Sequence, residues 1–210
     1  MTAEVECPAK TPNPGTPPVY CSWNTGTCVC TCTVRSSRPI IIDTDGSGFH
    51  LTSVQNGIKW DFNGNCAPIQ IAWTAPGSTN GWLAMPDANG QITSAQQLFS
   101  SLAPQNLKVA DNGFNALVTY DTNGDGVINA LDNPWWAKLR VWIDKNHDGI
   151  SQPNELFTLD QLGITGISLA YTSSPKTDQY GNQFNLKGHL TVASGSNVDG
   201  RIYDVTLTTK

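Results

Sequence analysis

Asp121-Thr-Asn-Gly-Asp-Gly-Val-Ile-Asn-Ala-Leu-Asp132 and Asp144-Lys-Asn-His-Asp-Gly-Ile-Ser-Gln-Pro-Asn-Glu155 are the two stretches whose reading decides the fold. Each places an oxygen-bearing side chain at positions one, three and five, glycine at six and a carboxylate at twelve. A hard divalent cation such as calcium takes six to eight oxygen ligands, and a twelve-residue loop with this alternation can wrap one ion. Asp121, Asn123, Asp125 and Asp132 are the expected side-chain ligands of the first loop. Asp144, Asn146, Asp148 and Glu155 are those of the second. Gly126 and Gly149 permit the sharp turn that aims the carbonyls of Val127 and Ile150 at the ion. Loops of Asn, Asp and Gly also serve as plain turns, but two with an acid at the twelfth place favour Ca2+.

Outward from the loops, the expected class is α+β. Antiparallel sheet elements flank a central helical region that holds two EF-hand-like calcium loops, and a Cys-rich extension precedes them. Helical character is expected at Ser94 to Leu102 and at Gly113 to Tyr120, which runs into the first loop. Pro134 to Ile143 connects the loops, and Glu155 to Leu162 is expected as the exit helix of the second. Strands are expected at Pro39 to Asp43, His50 to Val54, Ile58 to Phe62, Ile69 to Ala75 and Trp82 to Met85, then at Ile167 to Tyr171, Phe184 to Val192 and Ile202 to Thr208. Trp135, Trp136 and Trp142 fall between the loops and are expected to be core residues braced by them.

Weaker sites surround the main pair. Asp43-Thr-Asp-Gly-Ser-Gly48 opens like a calcium loop, so Asp43 and Asp45 are further candidate ligands, although Val54 stands at the twelfth place. Asp61 to Cys66 has Cys where glycine is wanted and reads as a turn. Asp87 to Gln91 lacks a closing acid. His147 occupies the fourth position of the second loop and is expected to be solvated.

The chain has 210 residues and a net charge of −5. Ten of its 17 acidic residues lie in Asp/Asn/Gly segments, where a cation would neutralise them. The 12 basic residues are scattered, which excludes a nucleic-acid partner read through its phosphates. No apolar run is long enough to span a membrane. Residues 1–37 are rich in Pro, Thr, Ser and Cys and read as a disulfide-stapled extension to a calcium-binding module at 38–210. Five of the six cysteines, Cys7, Cys21, Cys28, Cys30 and Cys32, lie in that extension, and Cys66 lies beyond it. Disulfides imply an oxidising exterior. A soft-metal site at Cys28-Val-Cys-Thr-Cys32 is the alternative, but alternate-residue thiolates fit poorly around one tetrahedral ion. No leader peptide is visible, so the chain reads as a fragment or module of a secreted protein.

The ordered series Pro39-Ile-Ile-Ile-Asp-Thr-Asp-Gly-Ser-Gly48, Trp60-Asp-Phe-Asn63, Ala72-Trp-Thr74, Leu98-Phe99, Asn112-Gly-Phe-Asn-Ala-Leu117, both loops with Leu139-Arg-Val-Trp142 between them, Glu155-Leu-Phe-Thr-Leu-Asp-Gln-Leu-Gly163 and Tyr180-Gly-Asn-Gln-Phe184 resembles the calcium-binding modules of bacterial repeats-in-toxin and haemolysin-type secreted proteins. The resemblance covers residues 38 to about 209. It implies a structural or interaction module that calcium folds or stabilises, with a protein or cell-surface partner that the sequence does not identify. One branch of that family cuts itself at an Asp-Pro bond, the aspartate side chain attacking its own carbonyl. Here the corresponding bond is Arg38-Pro39, and arginine cannot form the cyclic anhydride, so no catalytic residue is assigned. The paired loops also resemble dockerins, which are smaller and more symmetric; that is a third expectation.

Overall fold

The computed structural model describes residues 19–24 and 29–34 as backbone, and residues 37–63, 68–101 and 112–210 with their side chains. Within the extension, β1 (Val19–Asn24) and β2 (Val29–Val34) form a separate antiparallel hairpin, with Cys21 opposite Cys32 and Trp23 opposite Cys30. Cys7, Cys28 and Cys66, and the side chains of the other three cysteines, lie outside the described residues, and with them the expected disulfides.

β3 (Ile40–Asp43) is the centre of the molecule. It is fully buried along its length. Ile40 and Ile42 point into one apolar cluster with Leu83, Phe114, Leu117, Ile128 and Val141. Ile41 points into another, with Trp60, Trp73, Trp82, Trp142 and Phe184. A strand covered on both faces reads as a continuous apolar run, not as an alternation, and this is why Ile-Ile-Ile is legible as a strand.

Around β3 the chain builds a curled antiparallel sheet of nine strands. The other strands are β6 (Asn80–Ala84), β7 (Val127–Asn129), β8 (Arg140–Trp142), β9 (Leu156–Phe157), β10 (Ile164–Ser168), β11 (Thr172–Thr177), β12 (Gln183–Val192) and β13 (Arg201–Thr206). Their order is β7-β10-β12-β13-β3-β6-β8-β9, with β11 paired to β12 off that path. β4 (Ile58–Trp60) and β5 (Ile69–Ile71) form a small antiparallel ribbon.

The α+β expectation is overturned. Strand accounts for 35% of the protein and helix of all kinds for 12%, so the architecture is mainly β. The central helical region shrinks to α1 (Gly113–Leu117) and short 3-10 turns, the first of them, Val118–Tyr120, directly after it. Ser94 to Ser101 is not helical. Its backbone is drawn onto β6, with Met85 N–H donating to Gln97 O at 2.8 Å and Phe99 N–H to Leu83 O at 3.1 Å. Isolated segments this short gain too few helical bonds to offset nucleation, and the edge of β6 offers them partners.

Part of the connector becomes the strand Arg140–Trp142, and around it Leu139, Val141 and Ile143 enter one cluster while Trp142 enters the other, a period of two. The expected exit helix at 155–162 is instead a 3-10 turn at Pro153–Glu155, the short β9, and a second 3-10 turn at Asp160–Leu162. Neither acidic loop is therefore held between two helices, and the two EF-hand-like hands do not form. The expected strand at 50–54 is reduced to a bridge between Leu51 and Thr74, while β7, β8 and β11 are strands that the sequence reading did not place.

Candidate metal-binding loops

The two acidic loops stand at opposite ends of the strand order. The first begins at the end of the 3-10 turn after α1 and passes through β7, one edge of the sheet. The second is the connection between β8 and β9, the other edge. Positions seven to nine of the first loop, Val127 to Asn129, pair with Ser168, Ile167 and Gly166 of β10 and not with the second loop. The loops are therefore two separate sites, not a pair.

Their internal geometry is nevertheless shared. In the first loop Asp121 Oδ1 accepts from Gly124 N–H at 2.9 Å and from Asp125 N–H at 3.2 Å, and Oδ2 accepts from Gly126 N–H at 2.9 Å. In the second, Asp144 Oδ1 accepts from Asp148 N–H at 3.2 Å and Oδ2 from Gly149 N–H at 2.9 Å. Asn123 Nδ2 donates to Asp125 Oδ2 at 2.9 Å, as Asn146 Nδ2 does to Asp148 Oδ2 at 2.8 Å. Val127 N–H and Ile150 N–H close onto Asp125 Oδ1 and Asp148 Oδ1. Positions four and six are left-handed in both, at Gly124 and Gly126 (φ 72° and 81°) and at His147 and Gly149 (φ 61° and 72°).

The twelfth-position acids also act alike. Asp132 Oδ1 accepts from Thr122 N–H at 2.8 Å and Glu155 Oε1 from Lys145 N–H at 3.1 Å, which in each case ties position twelve back to position two. Asp132 Oδ2 further accepts from Asn129 N–H at 2.9 Å. Burial would raise the Asp132 carboxyl, but the N–H groups of Asn129 and Thr122 and the Thr122 hydroxyl hold it below the usual carboxylate range.

Asp43 repeats the pattern. Its Oδ1 accepts from Gly46 N–H at 3.1 Å and its Oδ2 from Gly48 N–H at 2.8 Å, with both glycines left-handed. Hydrogen bonds from Ser47 hold Asp45 down to about 2. This third loop packs against the 194–200 turn, where Asp199 N–H donates to Asp43 O. Asp87 only closes a turn, accepting from Asn89 and Gln91 N–H. Residues 64–67 of the Asp61 segment lie outside the described residues.

The two main loops differ in their anchorage. Trp73 Nε1–H donates to Asp144 Oδ2 at 2.8 Å, and Trp142 Nε1–H lies 3.4 Å from Glu155 Oε2. Both indoles belong to a packed set with Trp60 and Trp82, whose ring centroids are 4.9 to 5.8 Å apart. Ile92 N–H donates to Ser151 Oγ at 2.8 Å. His147 is not simply solvated, since its ring nitrogens lie 2.7 Å from Thr74 O and 2.9 Å from Asn56 O. The second loop is thus tied to the tryptophan core by side chains, whereas the first joins the body through β7 and one bond from Leu169 N–H to Gly126 O.

Sequence reasoning did not assign Trp73 a role at the second loop. Its only signal was the Ala72-Trp-Thr74 stretch, and contact across 71 residues is not encoded locally. Of the connector tryptophans, Trp136 and Trp142 are buried as expected, while Trp135 is half-buried beneath the Lys138 ammonium.

Three carboxylates thus belong to each loop, and Asp132, Asp144 and Glu155 are buried (0, 0 and 3% exposed). Among the described residues, none of these three is ion-paired with a basic side chain. Buried carboxylates normally require a compensating charge. The available donors are all hard oxygens, the class that suits calcium. Among the described residues no three acidic, His or Cys side chains converge as a preformed cluster, because the loop amides engage the same carboxylate oxygens. The residues fit a hard cation in type and charge, with the oxygens turned to N–H donors.

Two comparisons with known proteins bear on these loops. The family described as the SPM domain matches residues 40–208. The iron-regulated protein FrpA of Neisseria meningitidis serogroup C is 35% identical over 167 residues, a match that spans 75% of this chain and 14% of that relative. This chain is thus similar to a small part of a much longer bacterial protein.

Proposed function

The chain belongs to the SPM domain family, and on that premise we propose that it is a calcium-binding structural or interaction module of a secreted bacterial protein. The observation that carries this reading is the repeated loop geometry at Asp121–Asp132 and Asp144–Glu155, with buried carboxylates that no basic side chain among the described residues pairs with. Asp121, Asn123, Asp125, Asp132 and the Val127 carbonyl would hold one ion. Asp144, Asn146, Asp148, Glu155 and the Ile150 carbonyl would hold another. Bound calcium supplies the positive charge that lets three carboxylates per loop remain ionised near one another. Asp43 and Asp45 share the turn geometry but have no closing acid, and they form the weakest of the three candidate sites.

No helix among the described residues is long and apolar enough to cross a membrane. Arg38, which precedes Pro39, is committed to a buried ion pair with Asp204 at 2.8 Å. No observation supports a role for it as a nucleophile. A dockerin-like role is not favoured either, because the two loops stand at opposite edges of one sheet and lack a following α-helix.

The test is thermal unfolding in excess calcium against excess chelator, followed by tryptophan fluorescence, since the Trp73 and Trp142 indoles touch the second loop. A ligand that binds only the folded state adds about 2.7 kcal/mol per site at a hundredfold excess over its dissociation constant. The expected result is a higher midpoint with calcium. An unchanged midpoint and an unchanged emission spectrum would sink the proposal.

A further inference from the structure

Phe49, Phe184 and Tyr203 come from three separate parts of the chain and meet as three walls of a corner. Their ring planes are inclined at 62°, 85° and 87° to one another, with centroids 5.2 to 5.4 Å apart. Phe184 on β12 and Tyr203 on β13 are buried in the tryptophan-containing cluster, and Phe49 follows directly on the Asp43–Gly48 loop. Over this corner sits one ammonium group, the Nζ of Lys176. It lies 4.4 Å from the Phe184 centroid, 4.9 Å from Phe49 and 5.3 Å from Tyr203. Ring faces carry negative charge density and attract a cation within about 6 Å. Three mutually inclined rings around one point make a site for a single positive centre.

Lys176 is an unusual occupant. Lysine ordinarily lays its stem on apolar surface and keeps the ammonium in water. Here the residue as a whole is exposed while its charged end rests on the rings, and desolvation pulls the group below the usual lysine range. Asp178, Asp43 and Asp199 favour a cation at this point, against one opposing charge, Arg201.

The strand that delivers Lys176 has one strand neighbour. β11 pairs with β12 alone, its register slips between Ser173 and Lys176, and none of its residues is buried. β11 buries no side chain of its own, whereas β12 and β13, which carry two of the walls, are interior strands of the sheet.

We propose that the Phe49–Phe184–Tyr203 corner is a binding site for organic ammonium cations, quaternary or methylated, and that Lys176 occupies it in cis until such a ligand displaces it. An inorganic cation would be less suited to the corner, because three ring faces replace its hydration shell poorly, whereas methyl groups on nitrogen pack directly against aromatic carbon.

The experiment is a titration of the wild-type chain, Lys176→Ala and Lys176→Gln with tetramethylammonium and choline, read from the ring-proton NMR shifts of the three aromatic residues. Sodium at equal concentration serves as the ionic-strength control. Both variants are expected to bind saturably and at least about tenfold tighter than wild type, with binding lost when Phe49→Leu is added. A parallel arm measures sedimentation with phosphatidylcholine vesicles; co-sedimentation of the variants would assign the ammonium to a lipid headgroup, and its absence to a soluble molecule. Shifts that match the sodium control in both correctly folded variants would overturn the site. Equal affinity in wild type and variants would overturn the role of Lys176.

Discussion

Asp204 is a fully buried carboxyl on β13. Its Oδ1 accepts from Arg38 Nε at 2.8 Å and its Oδ2 from Gly113 N–H at 2.8 Å. Burial pushes its carboxyl up to about 6 despite those donors. An acid whose folded value exceeds its ordinary 3.8 binds more protons in the folded state between the two values. Its ionisation therefore costs stability as pH rises from about 4 to about 6, by an amount on the order of 3 kcal/mol, and the cost is complete above 6. Asp132 works in the opposite sense. Its lowered value gives stability that is present above about 4 and lost only as pH falls further, outside that window. Asp204→Asn should thus flatten the profile. The urea midpoint of wild type should fall relative to that of the variant between pH 4 and pH 6 and stay parallel above it. Parallel profiles throughout would refute the assignment. At the loops, glutamate at position twelve reaches across an ion more readily than aspartate. Glu155→Gln should therefore cost the calcium-loaded protein more than Asp132→Asn, by about 1 kcal/mol or more at the upper end for a charged hydrogen bond. Calorimetric titration of both variants decides it, and equal losses or the reverse order would count against the argument.

At the scale of elements, the second loop rests on the β4–β5 ribbon, and that ribbon closes through Gly57. A Cβ there would stand 1.8 Å from Ile71 O and 2.7 Å from Ile71 C, both backbone atoms that cannot swing away. Gly149 faces the same ribbon, with Ile58 Cδ1 2.7 Å from a built Cβ and φ at 72°. Gly57→Ala should lower stability by about 3 kcal/mol or more, since it combines overpacking with backbone displacement. It should also weaken calcium at the second loop while sparing the first, which lies at the other end of the strand order. Chemical denaturation gives the first number, and calcium titration monitored separately at Gly126 and Gly149 amide resonances gives the second. Equal weakening at both glycines would show that the ribbon is not the support.

At the scale of the molecule, β3 separates two apolar clusters, of which the Ile40–Ile42 cluster borders both loops and the Ile41 cluster borders the second. Leu117 and Ile128 flank the first loop in the Ile40–Ile42 cluster, while Trp73, Trp142 and Leu156 flank the second in the Ile41 cluster. Ile41→Ala and Ile42→Ala remove the same atoms from adjacent positions, and each should cost about 2–5 kcal/mol. Their readouts should differ. Ile41→Ala should change the folded-state tryptophan emission strongly, because a cavity opens in the cluster that holds Trp60, Trp73, Trp82 and Trp142, whereas Ile42→Ala, whose cluster holds Trp136, should change it less. Matching spectra in the two variants would mean that the sheet does not divide the core.

The sequence by itself determined what is local. Asp, Asn and Gly at fixed offsets dictate a turn in which side-chain oxygens meet nearby amides, and the acidic loops have that geometry at both places. Ile40 to Ile42 marked a buried strand, because three apolar β-branched residues in a row suit sheet covered on both faces. Helical character was expected from Gly113, and α1 begins there, where Asn112 Oδ1 accepts from Asn115 N–H at 2.8 Å. The tertiary structure decided everything that depended on a distant partner. Segments at 94–101, 139–143 and 155–162 carry apolar residues compatible with either short helix or strand, and hydrogen-bonding groups of β6 drew parts of the first two into extended pairing. The placement of the loops at opposite edges of the sheet, the Trp73 indole on Asp144, the Arg38–Asp204 pair and the three-ring corner over Lys176 each join residues that are far apart in the chain. Such contacts follow from how the sheet curls and which strands become neighbours, a choice settled by burial of the whole core and not by any window of sequence.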